Sequence, residues 1–400
     1  MSDEALRPLG IYIHVPFCRK KCEYCDFYSL GGARDPELVD RYVYAVQQHL
    51  KEAAPRAGDH LVDTVYFGGG TPSFLGADHL KRILDEIYRR YNVSPEAEIT
   101  FEANPDSASL HTLRRLYRAG FNRVSLGIQS DQDETLKALG RPHNFQQAKQ
   151  AVKDARTAGF SNVSVDLMFG LPRQTREGWA DTLRSVADLR PDHISCYGLT
   201  VQPGTPLAEY AECANLPDDD TQADMYLFMV EALADLGFEQ YEISNFCQEG
   251  RQCRHNLKYW TGGEYLGFGP AAASDFAGSR FTFVSDLDRY TNCILKGEGT
   301  ILAENQTISP RERGGEYLML RLRTTRGISQ QEYKTFRLPF APIHETLEEY
   351  ARQGLAEQTP EGRWHFTPQG FLLSNQLIGR LLEEQERSNP INQLGGKTLG

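Results

Sequence analysis

The sequence has no apolar run approaching the ~18–20 residues that a membrane-crossing helix needs, so no span is expected. It also lacks a Lys/Arg block, and 54 acidic against 43 basic side chains leave a net charge of −11. Such a chain has no electrostatic footprint for a phosphate backbone, which argues against a nucleic-acid partner. The opening residues MSDEALRPLG show neither the apolar core of a signal peptide nor the Arg/Ser-rich character of a transit peptide, so a cytoplasmic protein is expected. Cysteine is sparse too. There are eight in 400 residues, and Cys196, Cys213, Cys247, Cys253 and Cys293 are scattered, which suits a reducing compartment rather than a disulfide framework.

What the chain does have is a cluster formed by its other three cysteines. Ile11 to Tyr28, IYIHVPFCRKKCEYCDFY, is a strand-like run that ends in Cys18, Cys22 and Cys25, spaced C-x3-C-x2-C. Three thiolates on one short loop can hold three corners of a [4Fe–4S] cube. Zinc normally takes four protein ligands, and no second C-x2-C or H-x3-H lies nearby to complete a tetrahedral site. A cube held by three cysteines keeps one iron open, and the amino and carboxylate groups of S-adenosylmethionine (SAM) can chelate that iron.

Six short β-type runs recur with helical patterns between them: Ile11–Val15, Thr64–Phe67, Glu98–Glu102, Arg123–Ile128, Asn162–Phe169 and His193–Leu199. The intervening segments Leu38–Ala53, His79–Tyr91, Leu110–Ala119 and Phe145–Ala158 carry apolar residues at helical spacing. This alternation predicts βαβ units on a parallel sheet, an α/β fold curved into an incomplete (β/α)6 barrel. Ligands in such architectures sit at the carboxyl ends of the strands. There the sequence places the cysteine loop, then Gly68-Gly69-Gly70-Thr71, Glu102, Gln129, Arg141 and Asp166. Each polar residue alone could be an ordinary hydrogen-bonded strand end, and Arg141 an exposed ion pair; together they favour a ribose and amino-acid site.

Past Thr200 a long helix is expected through Met225 to Leu236, followed by the strand-like YEISNF and the His-, Tyr- and Trp-rich RQCRHNLKYWTGG. From Gln306 two helices, Glu312–Arg323 and Ile343–Gln353, precede a strand–turn–strand and a final helix, a C-terminal winged-helix-like α+β order of mixed charge. The expected division is 1–215, 216–305 and 306–385, with 386–400 a disordered tail.

The C-x3-C-x2-C spacing with Tyr24 before the last cysteine resembles the radical SAM superfamily. IYIHVPFC, GGGTP, FEANP, GIQS, VDLMFGLP and YEISNF are similar to its coproporphyrinogen III dehydrogenase branch. Two features depart from the dehydrogenases themselves. Only ten residues precede the first expected strand, and Phe27 stands where they have a fourth cysteine. The short N-terminus, the CDF ending and His255-Asn256-Leu257-Lys258-Tyr259-Trp260 are closer to a sister group of haem chaperones. The resemblance implies cluster ligation by Cys18, Cys22 and Cys25. It implies SAM contacts from Tyr12, Tyr24, Gly69, Gly70, Thr71, Glu102, Gln129, Arg141, Asp166 and Thr200. It further implies haem bound at the His255 motif, with Cys253 a rival ligand, and an acceptor protein whose identity and membrane association stay open. The alternatives are a radical SAM enzyme of tetrapyrrole metabolism and a non-catalytic iron–sulfur or zinc protein. Whether SAM is cleaved is left open.

Overall fold

Every segment expected to be a barrel strand forms one in the computed structural model, which describes residues 6–32 and 35–388. They are β1 (Arg7–Val15), β2 (His60–Gly69), β3 (Val93–Ala103), β4 (Arg123–Gln129), β5 (Val163–Phe169) and β6 (His193–Gly198), parallel and paired in sequence order. A strand such as VSVDLMF is buried at nearly every position because helices cover one face and the barrel interior the other. Several strands start earlier than their apolar residues suggest. Arg7 to Leu9 pair with His60 to Val62 through the backbone, and a ladder needs no apolar side chain. The first strand therefore begins at Arg7 rather than Ile11.

Local signals fix the helices between them: α1 (Pro36–Ala53), α2 (Ala77–Arg90), α3 (Leu110–Ala119), α4 (Phe145–Ala158) and α5 (Arg176–Ala187). Asn144 caps α4 in a reciprocal box with Gln147, and Ser109 caps α3 by accepting from the Thr112 N–H. Losing such a cap costs about 1 kcal/mol.

The segment expected to extend the barrel is split between its two edges. Helix α6 (Asp219–Asp235) packs on α5, and β7 (Glu239–Glu242) and β8 (Asn245–Cys247) add antiparallel pairings beyond β6. Helix α7 (Arg254–Thr261) then crosses to the other edge. There β9 (Tyr265–Phe268) pairs parallel to β1, and β10 (Ala273–Phe276), β11 (Ser279–Phe283) and β12 (Leu302–Thr307) continue the sheet antiparallel. The run is one twelve-stranded sheet, β12-β11-β10-β9-β1-β2-β3-β4-β5-β6-β8-β7, with α8 (Leu287–Lys296) packed on α1.

The C-terminal part takes the expected order: α9 (Pro310–Arg321), α10 (Ala341–Arg352), the hairpin β13 (Ala356–Gln358) and β14 (Trp364–Phe366), and α11 (Ser374–Arg387). Helix α11 runs past 385, and the rest of the expected tail, 389–400, lies outside the described residues. Among those residues no helix is long and apolar enough to cross a membrane.

Candidate functional site

The cysteine loop leaves β1 at Val15 and is tied down largely by backbone hydrogen bonds. Phe17–Cys18 pairs in parallel with Leu30–Gly31, and the Leu30 N–H donates to Pro16 O at 2.7 Å. The loop after β2 then grips its base: Gly70 N–H donates to Val15 O and Thr71 N–H to Phe17 O, both at 2.8 Å. This approach explains the glycine run. A Cβ on Gly70 would stand 2.8 Å from the carbonyl oxygens of both Val15 and Phe17, and one on Gly69, whose φ is +105°, would meet the His14 ring. Further out, Glu23 N–H donates to Leu139 O, and Leu207 N–H donates to Glu23 O. Two distant segments, the end of the helix Asp133–Ala138 and the helix Pro206–Tyr210, thus hold the middle of the cysteine segment.

The three cysteines line one cavity of about 570 Å3 at the carboxyl ends of the strands. Tyr24, Gly69, Gly70, Thr71, Glu102, Gln129, Arg141, Asp166 and Thr200 line it with them, so nearly all the residues singled out by sequence converge. Gln129 gets there by an unusual route. It is a non-glycine with φ +69°, next to a register shift between β4 and β5, and such irregularities commonly re-aim a side chain at a strand end.

The cavity has an acidic side and a basic side. Glu102 accepts from the Tyr66 hydroxyl at 2.9 Å and has no ion-pair partner among the described residues. Burial, then the neighbouring Asp166, push its carboxyl up from 4.5 to about 7. Asp166 accepts from the Ser125 hydroxyl at 3.1 Å, and burial raises its carboxyl as well. Opposite them, Arg141 donates to Asn104 Oδ1 at 2.7 Å and to Gly127 O at 2.5 Å, with its Nη1 3.5 Å from Cys22 Sγ. Asn104 also donates to Thr71 Oγ1, whose hydroxyl is 3.4 Å from Cys18 Sγ. A chain of polar groups therefore joins the glycine loop, the guanidinium and two of the thiols.

These residues fit an iron–sulfur cluster with SAM. Among the described residues no three metal-binding side chains stand close enough to share a single ion, and a cube does not ask them to, because each thiolate binds a different iron. Two carboxylates with no direct ion pair among the described residues, although the charge of Arg123 acts on both, suit a sulfonium or ammonium and ribose hydroxyls, and the Arg141 guanidinium suits a carboxylate. Asn104, Ser125, Ser195 and Asn256 also line the cavity, although sequence reasoning did not single them out. Asn104 was legible as the polar residue two positions beyond Glu102. Asn256 stood in the His255 motif, but nothing in the sequence put it at this mouth, since it comes from α7, far along the chain.

Two of the expected residues do not line this cavity. Tyr12 lines an adjoining cavity with His14, Tyr28 and Tyr259 that shares Lys21, Asp26 and Phe27 with this one, its hydroxyl 3.1 Å from His14 Nδ1. His255, expected to ligate haem, is 0% exposed, stacked on Tyr66, with Nδ1 2.9 Å from the Thr64 hydroxyl and Nε2 2.9 Å from the Tyr259 hydroxyl. Both ring nitrogens therefore have a hydroxyl partner in this structure. Burial first, then Lys258, hold the imidazole down to about 3, so it stays neutral. Cys253 is buried as well, beside Glu98, and burial pushes its thiol up to about 12. Glu98 accepts from the backbone N–H groups of Arg254 and His255 and so caps α7. Because Thr64 and Glu98 precede the cavity-lining Tyr66 and Glu102 on the same strand faces, α7 plugs the barrel interior beneath the cavity.

This barrel and thiol-lined mouth define a class. Residues 12–186 match the radical SAM superfamily and residues 308–373 the HemN C-terminal domain. The structure is similar to that of "Coproporphyrinogen III oxidase (HemN) from Escherichia coli", a radical SAM enzyme by its title, with a TM-score of 0.82 over 94% of this chain and 90% of that one; at 24% identity this likeness shows the fold. A protein of Bacillus subtilis (strain 168) named "Heme chaperone HemW" is 34% identical over 93% of this chain and 99% of its own length. Its namesake in Escherichia coli (strain K12) is also 34% identical, over 95% and 99%. The chain belongs to the HemW family.

Proposed function

We propose that the protein is a haem chaperone, which binds haem and transfers it to an acceptor protein while holding a [4Fe–4S] cluster and SAM. The observation that carries this reading is the likeness to proteins named heme chaperones along nearly the whole chain. Cys18, Cys22 and Cys25 would hold the cluster, which when bound supplies an electron for SAM chemistry. Glu102 and Asp166 would bind the cationic and hydroxyl groups of SAM, Arg141 its carboxylate, and the backbone at Gly69 and Gly70 its methionine end, while Tyr24, Thr71, Gln129 and Thr200 complete the wall. In this reading residues 1–215 house the cluster and SAM, 216–305 contribute to the haem site, 306–385 face the acceptor, and the protein works in the cytoplasm.

The second reading, a radical SAM oxidoreductase acting on coproporphyrinogen III, is favoured by the shared fold. Against it, Phe27 stands 64% exposed at the cavity rim where a further cysteine would be expected of the oxidase. Incubating the reconstituted protein with SAM, a reductant and coproporphyrinogen III, and in parallel titrating it with haemin, separates the two. The chaperone reading expects a bound Soret band and no decarboxylated porphyrin. Decarboxylation without haem binding would overturn it.

A further inference from the structure

The cysteine-lined cavity holds one cation to which no ligand contact has been given. Arg123 opens β4 two residues before Ser125, so it enters the barrel on the same face as that serine, one layer nearer the amino ends of the strands. It lines the floor of the cavity. The other cations there belong to the mouth: Lys20 and Lys21 are part of the cysteine loop, and Arg141 stands beside Cys22.

Arg123 is 2% exposed, and its Nε is buried without a hydrogen-bond partner. No ion pair between described residues includes it, although its charge acts on Glu98, Glu102 and Asp166. A buried guanidinium ordinarily takes a carboxylate head-on. Here the three acids bond elsewhere: Glu98 to the N–H groups of Arg254 and His255, Glu102 to the Tyr66 hydroxyl, and Asp166 to the Ser125 hydroxyl. This geometry serves a site for a cationic ligand. An ion pair would occupy the carboxylate oxygens that the ligand must reach, and a neutral residue would leave two buried acids to repel each other and hold their protons.

The surroundings give the two carboxyls little other help. Burial and then Asp166 push Glu102 up to about 7, opposed by its bonds to Tyr66 and the Gly69 N–H and by the charge of Arg123. Burial raises Asp166, opposed by Ser195, then Arg123, Ser125 and Arg141. Tyr12 from β1, Tyr66 from β2, Tyr197 from β6 and Tyr259 from α7 also face them, and burial keeps these hydroxyls protonated. Burial likewise keeps the Cys196 thiol protonated and the rings of His193 and His255 neutral.

We propose that Arg123 is a positioning residue for SAM, a counter-charge beneath Glu102 and Asp166 that balances both carboxylates while leaving their oxygens free for the sulfonium and ribose hydroxyls. The assignment rests on the reading of this cavity as the SAM site.

The test is equilibrium dialysis of SAM against the full chain with its cluster reconstituted, from pH 6 to pH 9, with cluster absorption as the check on folding. Arg123→Gln should bind SAM about fivefold more weakly at pH 7 and approach wild-type affinity at pH 9. The reason is that a carboxyl losing a nearby opposite charge rises by about one unit, which takes Glu102 from half ionised at pH 7 to about a tenth. Arg123→Lys keeps the charge and should follow the wild-type profile. An arginine that serves only packing would change affinity by the same factor at every pH or not at all, and either result would overturn the assignment. Should Arg123→Gln fail to assemble its cluster, the wild type decides the matter. Its infrared difference spectra against Glu102→Gln and Asp166→Asn at pH 9 should show ionised carboxylates, and a protonated carboxyl band there would overturn the proposal. A wild type that binds no SAM, or wild-type SAM affinity in both Glu102→Gln and Asp166→Asn, would refute the SAM site and this assignment with it.

Discussion

Replacing Glu102 by Gln should make the SAM-free protein more stable and the SAM complex weaker. The carboxyl is raised from 4.5 to about 7 by burial and by Asp166, which amounts to about 3 kcal/mol of preference for the protonated form. That figure is an upper bound, because the side chain borders an open cavity and solvent screens part of the cost. The folded state binds this proton more tightly than the unfolded chain does. The corresponding stability is therefore complete below pH 4.5 and is lost as the pH rises through 7. Glutamine escapes the loss but forfeits part of the bonding to the Tyr66 hydroxyl and the Gly69 N–H, about 1 kcal/mol. At pH 8 the net gain is ~1–2 kcal/mol, a few degrees in melting temperature. Glu242, pushed up to about 8 by its own burial, is present in both proteins and cancels in the difference. Thermal melts from pH 5 to pH 8 without SAM, and equilibrium dialysis of SAM at pH 8, give the two halves. The variant should melt higher at pH 8 and bind SAM ~1–3 kcal/mol more weakly. A variant that melts lower than wild type at pH 8 with an unchanged pH slope would refute the burial argument, and unchanged SAM affinity would remove Glu102 from the site.

Cys18→Ala, Cys22→Ala or Cys25→Ala should each abolish the broad iron–sulfur absorption, while Cys196→Ala, Cys213→Ala and Cys293→Ala leave it intact; anaerobic reconstitution with iron quantification checks both sets. Arg141→Ala should weaken SAM binding by about 1–3 kcal/mol through loss of a charged hydrogen-bond donor. Because its guanidinium lies 3.5 Å from Cys22 Sγ, the same change should also lower the cluster's reduction potential, measurable by a dye-mediated redox titration. Gly70→Ala should prevent stable cluster assembly by pushing its Cβ into the carbonyls of Val15 and Phe17, and normal iron content in that variant would show that the loop contact is dispensable.

The C-x3-C-x2-C loop, the βαβ alternation and the polar strand ends were legible along the chain because each depends on neighbours close in sequence. Thiol spacing sets which cofactor a short loop can hold, strand and helix periods set the layers, and the strand-end rule says which residues share a mouth. That is why Glu102, Gln129, Arg141 and Asp166 were found from their positions and do line one cavity. His255 shows the opposite case. A histidine before an aromatic pair reads as a ligand, yet whether a ring nitrogen is free depends on Thr64, far along the chain, and on Tyr259, one helical turn away. Periodicity decides which face of a helix is buried, but long-range pairing decides what that face is buried against, and a side chain's chemistry follows from its neighbours.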